Sequence, residues 1–226
     1  MIHLRDDIPS RLTPVVTRTL IGLNVLAFLG QFLLDPSGRV IVHLFGAIPA
    51  NLMGRLADAP TWLLPAPVTV LTSMFLHGGF IHLGGNMLYL HIFGDNVEDA
   101  MGHARFLIFY VVCGALAAYA NAAVAPESTT PMIGASGAIS GVLGAYLILY
   151  PRARIVTLVP IFYFIQIIQV PAIFILGFWI LAQVVNGLLS LGLTGGGIAW
   201  FAHVGGFVAG MGLIKFFRKR RPWNDL

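Results

Sequence analysis

"GASGAISG", residues 134–141, sets one hydroxyl, Ser136, in a frame of glycine and alanine. Small residues at every third or fourth position let two helix backbones approach closely, and they are enriched where helices meet inside a bilayer. A second stretch, "HVGGFVAGMG" at residues 203–212, carries Gly206 and Gly210 at the spacing of Gly137 and Gly141. Together the two predict a glycine seam between two membrane helices. Across such a seam Ser136 and His203 come near enough to hydrogen-bond. The simpler alternative is that the glycines serve packing alone, with Ser136 bonded to a backbone carbonyl.

Composition places those helices in a membrane. Of 226 residues, 58% are hydrophobic and 10% charged, and the mean hydropathy of +0.86 lies far outside the range of water-soluble globules. The formal charge of +4 comes mostly from "KFFRKRR" at residues 215–221. Directly after an apolar stretch, that run reads as a juxtamembrane anchor. A nucleic-acid surface would need a soluble face, so no nucleic-acid partner is expected. The lone cysteine, Cys113, excludes an intrachain disulfide. "MIHLRDDIPSRLTP" at residues 1–14 mixes both charge signs and precedes an apolar run without a small-residue cleavage site, so the first apolar segment is expected to be retained. Without internal repeats, residues 1–226 read as one domain with a six-span core over about 17–217.

A helix needs about 20 apolar residues to cross about 30 Å of hydrocarbon. The candidate spans are Thr17–Leu34, Phe80–Val97, Phe106–Ala125, Ile133–Tyr150, Pro171–Leu191 and Ala199–Phe217. The apolar run from Ile155 to Leu193 is too long for one crossing. Six spans put Arg5, Arg11, Arg105, Arg152, Arg154 and the C-terminal basic cluster on one side, and seven would export that cluster. Six is therefore expected, with both termini cytoplasmic, Ile155–Val170 a connection on the membrane surface, and Asp35–Gly79 a long outer loop. The fold class is all-α and polytopic.

Polar side chains inside spans are functional candidates by default. His82 and Asn86 lie in the second span, Ser136 in the fourth and His203 in the sixth. Ser136 precedes Tyr150 by 14 residues, and His203 precedes Phe217 by 14. At about 1.5 Å per residue, both sit about 21 Å above the cytoplasmic boundary. His82, 13 residues before Asp95, lies at nearly the same height, and Asn86 is one turn deeper on the same face. The four groups can converge in a cavity open to the outer side. A neutral imidazole suits proton abstraction from a hydroxyl. The N-terminal end of the serine's helix, with its free N–H groups, and the His82 and Asn86 side chains can donate to an oxyanion. These parts suit acyl transfer.

Other chemistries fit less well. The hydrolase elbow G-x-S-x-G needs a preceding strand and a glycine two places after the serine, whereas Gly137 follows Ser136 directly. His77, His82 and His91 contain no H-E-x-x-H, and a spacing of five does not put His77 and His82 on one helix face, so no metal is expected. No cofactor is expected either. Asp95, Glu98 and Asp99 read as boundary residues at the cytoplasmic end of the second span.

"HGGFIHLGGN" (77–86), "GASGAISG" (134–141) and "AHVGGFVAG" (202–210), in this order, resemble the rhomboid intramembrane serine proteases. The resemblance covers Thr17 to Phe217. It implies a six-helix rhomboid-like bundle with Ser136 as nucleophile, His203 as general base, and His82, Asn86 and the Ser136 N–H lining an oxyanion hole. His77 is then structural. The implied substrates are transmembrane proteins, cleaved near the outer face after lateral passage between the second and fifth spans. Phe174, Phe178 and Trp179 flank that gate or face lipid, and "GLTGGGIAWF" (192–201) forms a mobile cap. Membrane lipids are the other partners, and a bacterial inner membrane is the expected location.

Two positions depart from the pattern. Some members carry Trp-Arg in the first outer loop where this chain has Val68 and Thr69, so that loop needs other anchors. Many place an aromatic four residues after the nucleophile, where this chain has Ser140, so another group or Ser140 itself must orient His203. Two competing readings use the same cleft: a client-binding chaperone without catalysis, and a proton or ion pathway. The absence of a carboxylate at that level argues against the latter.

Overall fold

The computed structural model describes residues 2–55, 64–161, 164–191 and 198–219. Strand β1 (Ile2–Asp6) precedes the long helix α1 (Val15–Leu34), which starts after Pro14 and stops at Asp35. Three short helices, α2 (Arg39–Phe45), α3 (Pro49–Leu52) and α4 (Ala66–Ser73), occupy the predicted outer loop. Helices α5 (Phe80–Met101) and α6 (His103–Val124) are joined by Gly102 alone, whose φ of +80° suits a residue without a side chain. Helix α7 (Ser136–Leu149) leads into strands β2 (Arg154–Ile161) and β3 (Phe164–Pro171), followed by α8 (Ala172–Ser190) and α9 (Trp200–Phe217).

Among the described residues, four helices are long and apolar enough to cross a membrane: α1, α6, α8 and α9. Helix α5 is as long as α6 but carries His82, Asn86, His91, Asp95, Asn96, Glu98 and Asp99. Helix α7 is apolar but begins at Ser136, three residues later than the span predicted from Ile133. Its 14 residues rise only about 21 Å.

Helix α7 is the centre. Every residue from Ala138 to Tyr146 is buried, enclosed by α5, α6 and α9, while α1 leans on α5 and α8 packs principally on α9. The closest approach is the predicted glycine seam. A Cβ on Gly206 would overlap the carbonyl oxygen of Gly137, one on Gly210 that of Gly141, and one on Gly144 that of Phe207. Helix α6 closes on the same seam through small residues: a Cβ on Gly141 would strike Cys113, one on Gly137 would come within 2.7 Å of the Ala117 Cβ, and one on Gly205 would strike Ala120.

The expectation of an all-helical chain is corrected by a three-stranded antiparallel sheet in the order β1-β2-β3. The stretch Ile155–Val170, expected as a surface connection, is its hairpin. Ile155, Val156, Thr157, Ile167, Ile168 and Val170 are β-branched and favour extended backbone, and Pro160 and Pro171 remove donors that a helix needs. β1 supplies the third strand, pairing Ile2 with Leu158 and Asp6 with Ile155. One face is buried through Ile155 and Thr157, with His3 Nδ1 3.0 Å from Thr157 Oγ1 and its ring edge-on to Tyr89 of α5.

The sheet lies at the bundle end that also holds the start of α1 and the ends of α5, α7 and α9. The buried Glu98 carboxylate accepts the Val16 and Thr17 N–H groups and the Thr17 hydroxyl, and Asp99 accepts the N–H groups of Arg11 and Leu12. The Lys219 N–H donates to the Ala100 carbonyl. The first and last described residues therefore share one end. Asp6 ties the sheet to the bundle, accepting the Tyr146 hydroxyl at 2.5 Å and an Asn96 N–H at 2.8 Å.

Two expectations follow from this packing. Gly210→Ala must separate α7 from α9 and should lower stability by about 1–3 kcal/mol, read as the thermal midpoint in detergent. Gly212→Ala, where nothing lies within 4 Å of the added carbon, should leave the midpoint unchanged or slightly raised. Burial raises the Asp6 pKa from 3.8 to about 6, against the Tyr146 hydrogen bond and with help from Asp95 and Asp7. The folded chain thus holds the Asp6 proton more tightly than the unfolded chain. Its contribution is fully present below pH 3.8 and is lost as pH rises through about 6. The stability difference between the wild-type chain and Asp6→Asn should therefore change between pH 4 and 7, in favour of the variant at the higher pH.

Candidate active site

Ser136 is the first residue of α7, and it follows the turn at Gly134. The φ of +116° at Gly134 is one that glycine tolerates, and its N–H is held by the Ser73 carbonyl at 2.9 Å. At the first helical position the backbone N–H has no carbonyl partner one turn back in its own helix. The seam then fixes what faces it. Gly137 lies against Gly206, and His203 stands one turn before Gly206 on α9. The Ser136 hydroxyl donates to His203 Nε2 at 2.8 Å. Both side chains are half-buried.

The other ring nitrogen is engaged as well. His203 Nδ1–H donates to Gln183 Oε1 at 2.7 Å. Trp179, one turn before Gln183 on α8, lies over the imidazole with ring centroids 5.9 Å apart and planes 37° apart, and Trp200 meets the ring edge-on. The ring is therefore gripped from α8. Ser140 does not orient it, because its hydroxyl donates to the Ser136 carbonyl at 2.6 Å, inside α7. Gln183 is hidden in the sequence because α8 is otherwise almost wholly apolar and shows no polar periodicity. The signal that could have found it is the buried stripe Ala172, Leu176, Gln183, Gly187, in which one member is an amide.

His82 and Asn86 stand one turn apart on α5 and converge on Gly134, as their spacing predicts. A Cβ there would come within 2.8 Å of His82 Nε2 and 3.6 Å of Asn86 Nδ2. The Gly78 N–H donates to His82 Nδ1 at 3.2 Å, so in the neutral ring the proton is on Nε2, the atom turned toward Gly134. Among the described residues no acceptor reaches the buried Asn86 Nδ2. Two side-chain donors thus point at the turn preceding Ser136.

His77 is fully buried, edge-on to the rings of Phe28 and His82. Burial first, and His82 second, push its pKa down to about 4, so the ring is neutral. Gln31 of α1 clamps its backbone, donating to the His77 carbonyl at 2.9 Å and accepting the His77 N–H at 3.2 Å. This amide clamp is a second feature the apolar pattern conceals. It also shows how the loop is held where Val68 and Thr69 stand. The Thr72 hydroxyl donates to the Phe45 carbonyl at 2.6 Å, Ala47 and Met132 exchange two backbone bonds, and Arg55 pairs with Glu127 at 2.7 Å. Val68 is exposed and Thr69 turns its hydroxyl to its own helix.

On α8, Phe174 and Phe178 are 68% and 75% exposed, which separates them from Trp179 on the imidazole. Within the proposed cap, residues 192–197 lie outside the described residues. Among the described residues no group of three or more His, Cys, Asp or Glu side chains is placed to hold a metal ion.

The comparisons converge on one family. The family described as "Rhomboid domain" matches residues 66–220. Rhomboid protein 1, mitochondrial, of Saccharomyces cerevisiae is 32% identical over 228 residues, which cover 88% of this chain and 62% of that protein. Rhomboid protease GluP of Bacillus subtilis is 36% identical over 135 residues, 59% of this chain and 24% of the relative. RHOMBOID-like protein 5 of Arabidopsis thaliana is 29% identical over 143 residues, 63% and 43% respectively. The chain thus spans under two thirds of the length of each of these relatives, and they include mitochondrial and bacterial proteins. With the matched region containing α4 to α9 and its apolar helices, the chain is an integral, multi-pass membrane protein and belongs to the rhomboid family.

Proposed function

We propose that this chain is an intramembrane serine endopeptidase that cleaves transmembrane segments of other membrane proteins near the outer face of the bilayer. The observation that carries this reading is the 2.8 Å hydrogen bond from Ser136 Oγ to His203 Nε2 across a seam that admits no side chain. In this reading all six predicted spans cross, with α5 and α7 as the second and fourth. Residues 1–226 act as one domain, both termini are cytoplasmic, and the membrane is a bacterial inner membrane. The shared end of the first and last described residues supports that orientation, since Arg5, Arg11, Arg105, Arg152, Arg154, Lys215, Arg218 and Lys219 gather there.

Ser136 Oγ bonds to the substrate carbonyl carbon as its proton passes to His203 Nε2 and the carbonyl electron pair moves onto oxygen. The Ser136 N–H, His82 Nε2–H and Asn86 Nδ2–H receive that oxyanion. Collapse expels the peptide nitrogen, which takes the proton from His203, and leaves an ester on Ser136. Water, deprotonated by His203, hydrolyses that ester by the same steps. No cofactor or metal is invoked. Helix α8, attached mainly to α9 and bearing exposed Phe174 and Phe178, suits one side of a lateral passage between α5 and α8.

Cleavage of a single-span reporter in liposomes should fall at least about 10³-fold in Ser136→Ala and in His203→Ala, and a fluorophosphonate should label Ser136. Retained cleavage in either variant removes that residue from its role. Bound reporter without any turnover by the unaltered chain would favour the client-binding reading instead. Asn86→Ala should lower kcat by about 10²–10³-fold with little change in KM, and an equal kcat overturns its place in the oxyanion hole.

A further inference from the structure

We propose that Gln183 is a positioning residue that completes a serine–histidine–glutamine relay, locking His203 in the tautomer that leaves Nε2 free to take the Ser136 proton. This proposal rests on the proteolytic reading above. A neutral imidazole has one N–H, and whichever nitrogen carries it cannot act as the base. Gln183 Oε1, 2.7 Å from His203 Nδ1, draws the proton to Nδ1 and turns the Nε2 lone pair to the hydroxyl 2.8 Å away.

The placement of Gln183 is costly unless it serves such a purpose. The residue is 8% exposed in a helix whose other buried residues are Ala172, Leu176 and Gly187, and an amide withdrawn from water destabilises the fold unless hydrogen-bonded. The hydrogen bond that its oxygen accepts comes from His203. Trp179, four residues earlier on the same helix face, covers the imidazole. Residues 179 and 183 together fix the ring's plane and its proton.

The acceptor is neutral, which separates this relay from one built on a carboxylate. An amide orients imidazole without adding a charge that would raise its basicity, and it avoids burying an anion. Facing His203 are the Ser136 hydroxyl from α7, the Gln183 amide and Trp179 from α8, and Trp200 from its own helix. His82 of α5 is a further titratable group near it. Among the described residues no Asp or Glu is hydrogen-bonded to it.

The test uses the full chain in liposomes with the single-span reporter, and Gln183→Leu and Gln183→Glu. Gln183→Leu keeps the volume and loses the acceptor. Its kcat should fall about 10- to 100-fold with KM within about two-fold, and fluorophosphonate labelling of Ser136 should slow in parallel. Gln183→Glu restores an acceptor and adds a charge that stabilises imidazolium. It should recover kcat relative to Gln183→Leu and move the acidic limb of the kcat/KM profile to higher pH by about one unit. Unaltered kcat and labelling in Gln183→Leu, or an unmoved acidic limb in Gln183→Glu, overturns the proposal. If Gln183→Leu does not fold, as judged by its thermal midpoint, the pH profile of Gln183→Glu decides alone. Failure here leaves the Ser136→Ala and His203→Ala losses standing, whereas cleavage that survives those two substitutions defeats the proteolytic reading itself.

Discussion

Everything near Ser136 depends on the contact between α7 and α9, where glycine faces backbone carbonyl along more than a turn of each helix. A lipid-facing protein gains little hydrophobic energy by burying one apolar helix against another, so close packing and weak backbone contacts must hold the pair. The carbonyls of Gly137, Gly141 and Phe207 fill the space that side chains would occupy on Gly206, Gly210 and Gly144. The same closeness brings a short serine and an imidazole from separate helices within one hydrogen bond. Two larger helix faces would hold them too far apart. Helix α6 extends the arrangement, because Cys113, Ala117 and Ala120 sit where glycines of α7 and α9 leave room. Cys113 is completely buried there and serves as a small apolar residue.

The two ends of the bundle are built by different means. At the basic end, carboxylates of α5 organise the chain: Glu98 satisfies the first free N–H groups of α1, and Asp99 holds the residues just before it. At the other end amides, hydroxyls and backbone pairs do the work, with Gln31 on His77, Thr72 on Phe45 and Met132 on Ala47. Among the described residues no carboxylate is hydrogen-bonded to the ring of His77 or of His82, which meet each other edge-on. In the proposed mechanism, neutral N–H donors at His82 and Asn86 suit such surroundings.

Much of this was legible from the residues. The seam follows from glycine spacing, and the common level of Ser136 and His203 follows from counting to the next polar boundary in each span. His82 and Asn86 fall together because residues four apart share a helix face. The hairpin at Ile155–Val170 was obscured because an apolar run beside membrane spans invites a count of crossings, and the strand partner, β1, lies some 150 residues away in sequence. The amides Gln31 and Gln183 were obscured for another reason. A single polar residue leaves no periodic trace, and its meaning comes only from the backbone or ring that folding brings opposite. Ser140 shows the converse, since the composition left its hydroxyl free to reach His203 while helical geometry returns it to its own backbone.

The short length of α7 sets the depth at which Ser136 begins its helix. Its 14 residues rise about 21 Å, while the 22 residues of α6 beside it rise about 33 Å. Aligned near the basic end, the two helices differ by about 12 Å at the other, so α7 starts below the rim made by its neighbours. The 128–134 segment just before α7 is pinned by backbone bonds to Ala47, to Ala50 of α3 and to Ser73 of α4. Ser136 and His203 are half-exposed, while Asn86 and His77 are buried. A full-length α7 would carry its N-terminal N–H groups up to the surface, where bulk water would compete for any oxyanion they bind. In the proposed mechanism, starting the helix deep keeps those donors at the level of the hydroxyl and in surroundings of lower dielectric, where each hydrogen bond to a developing charge is stronger.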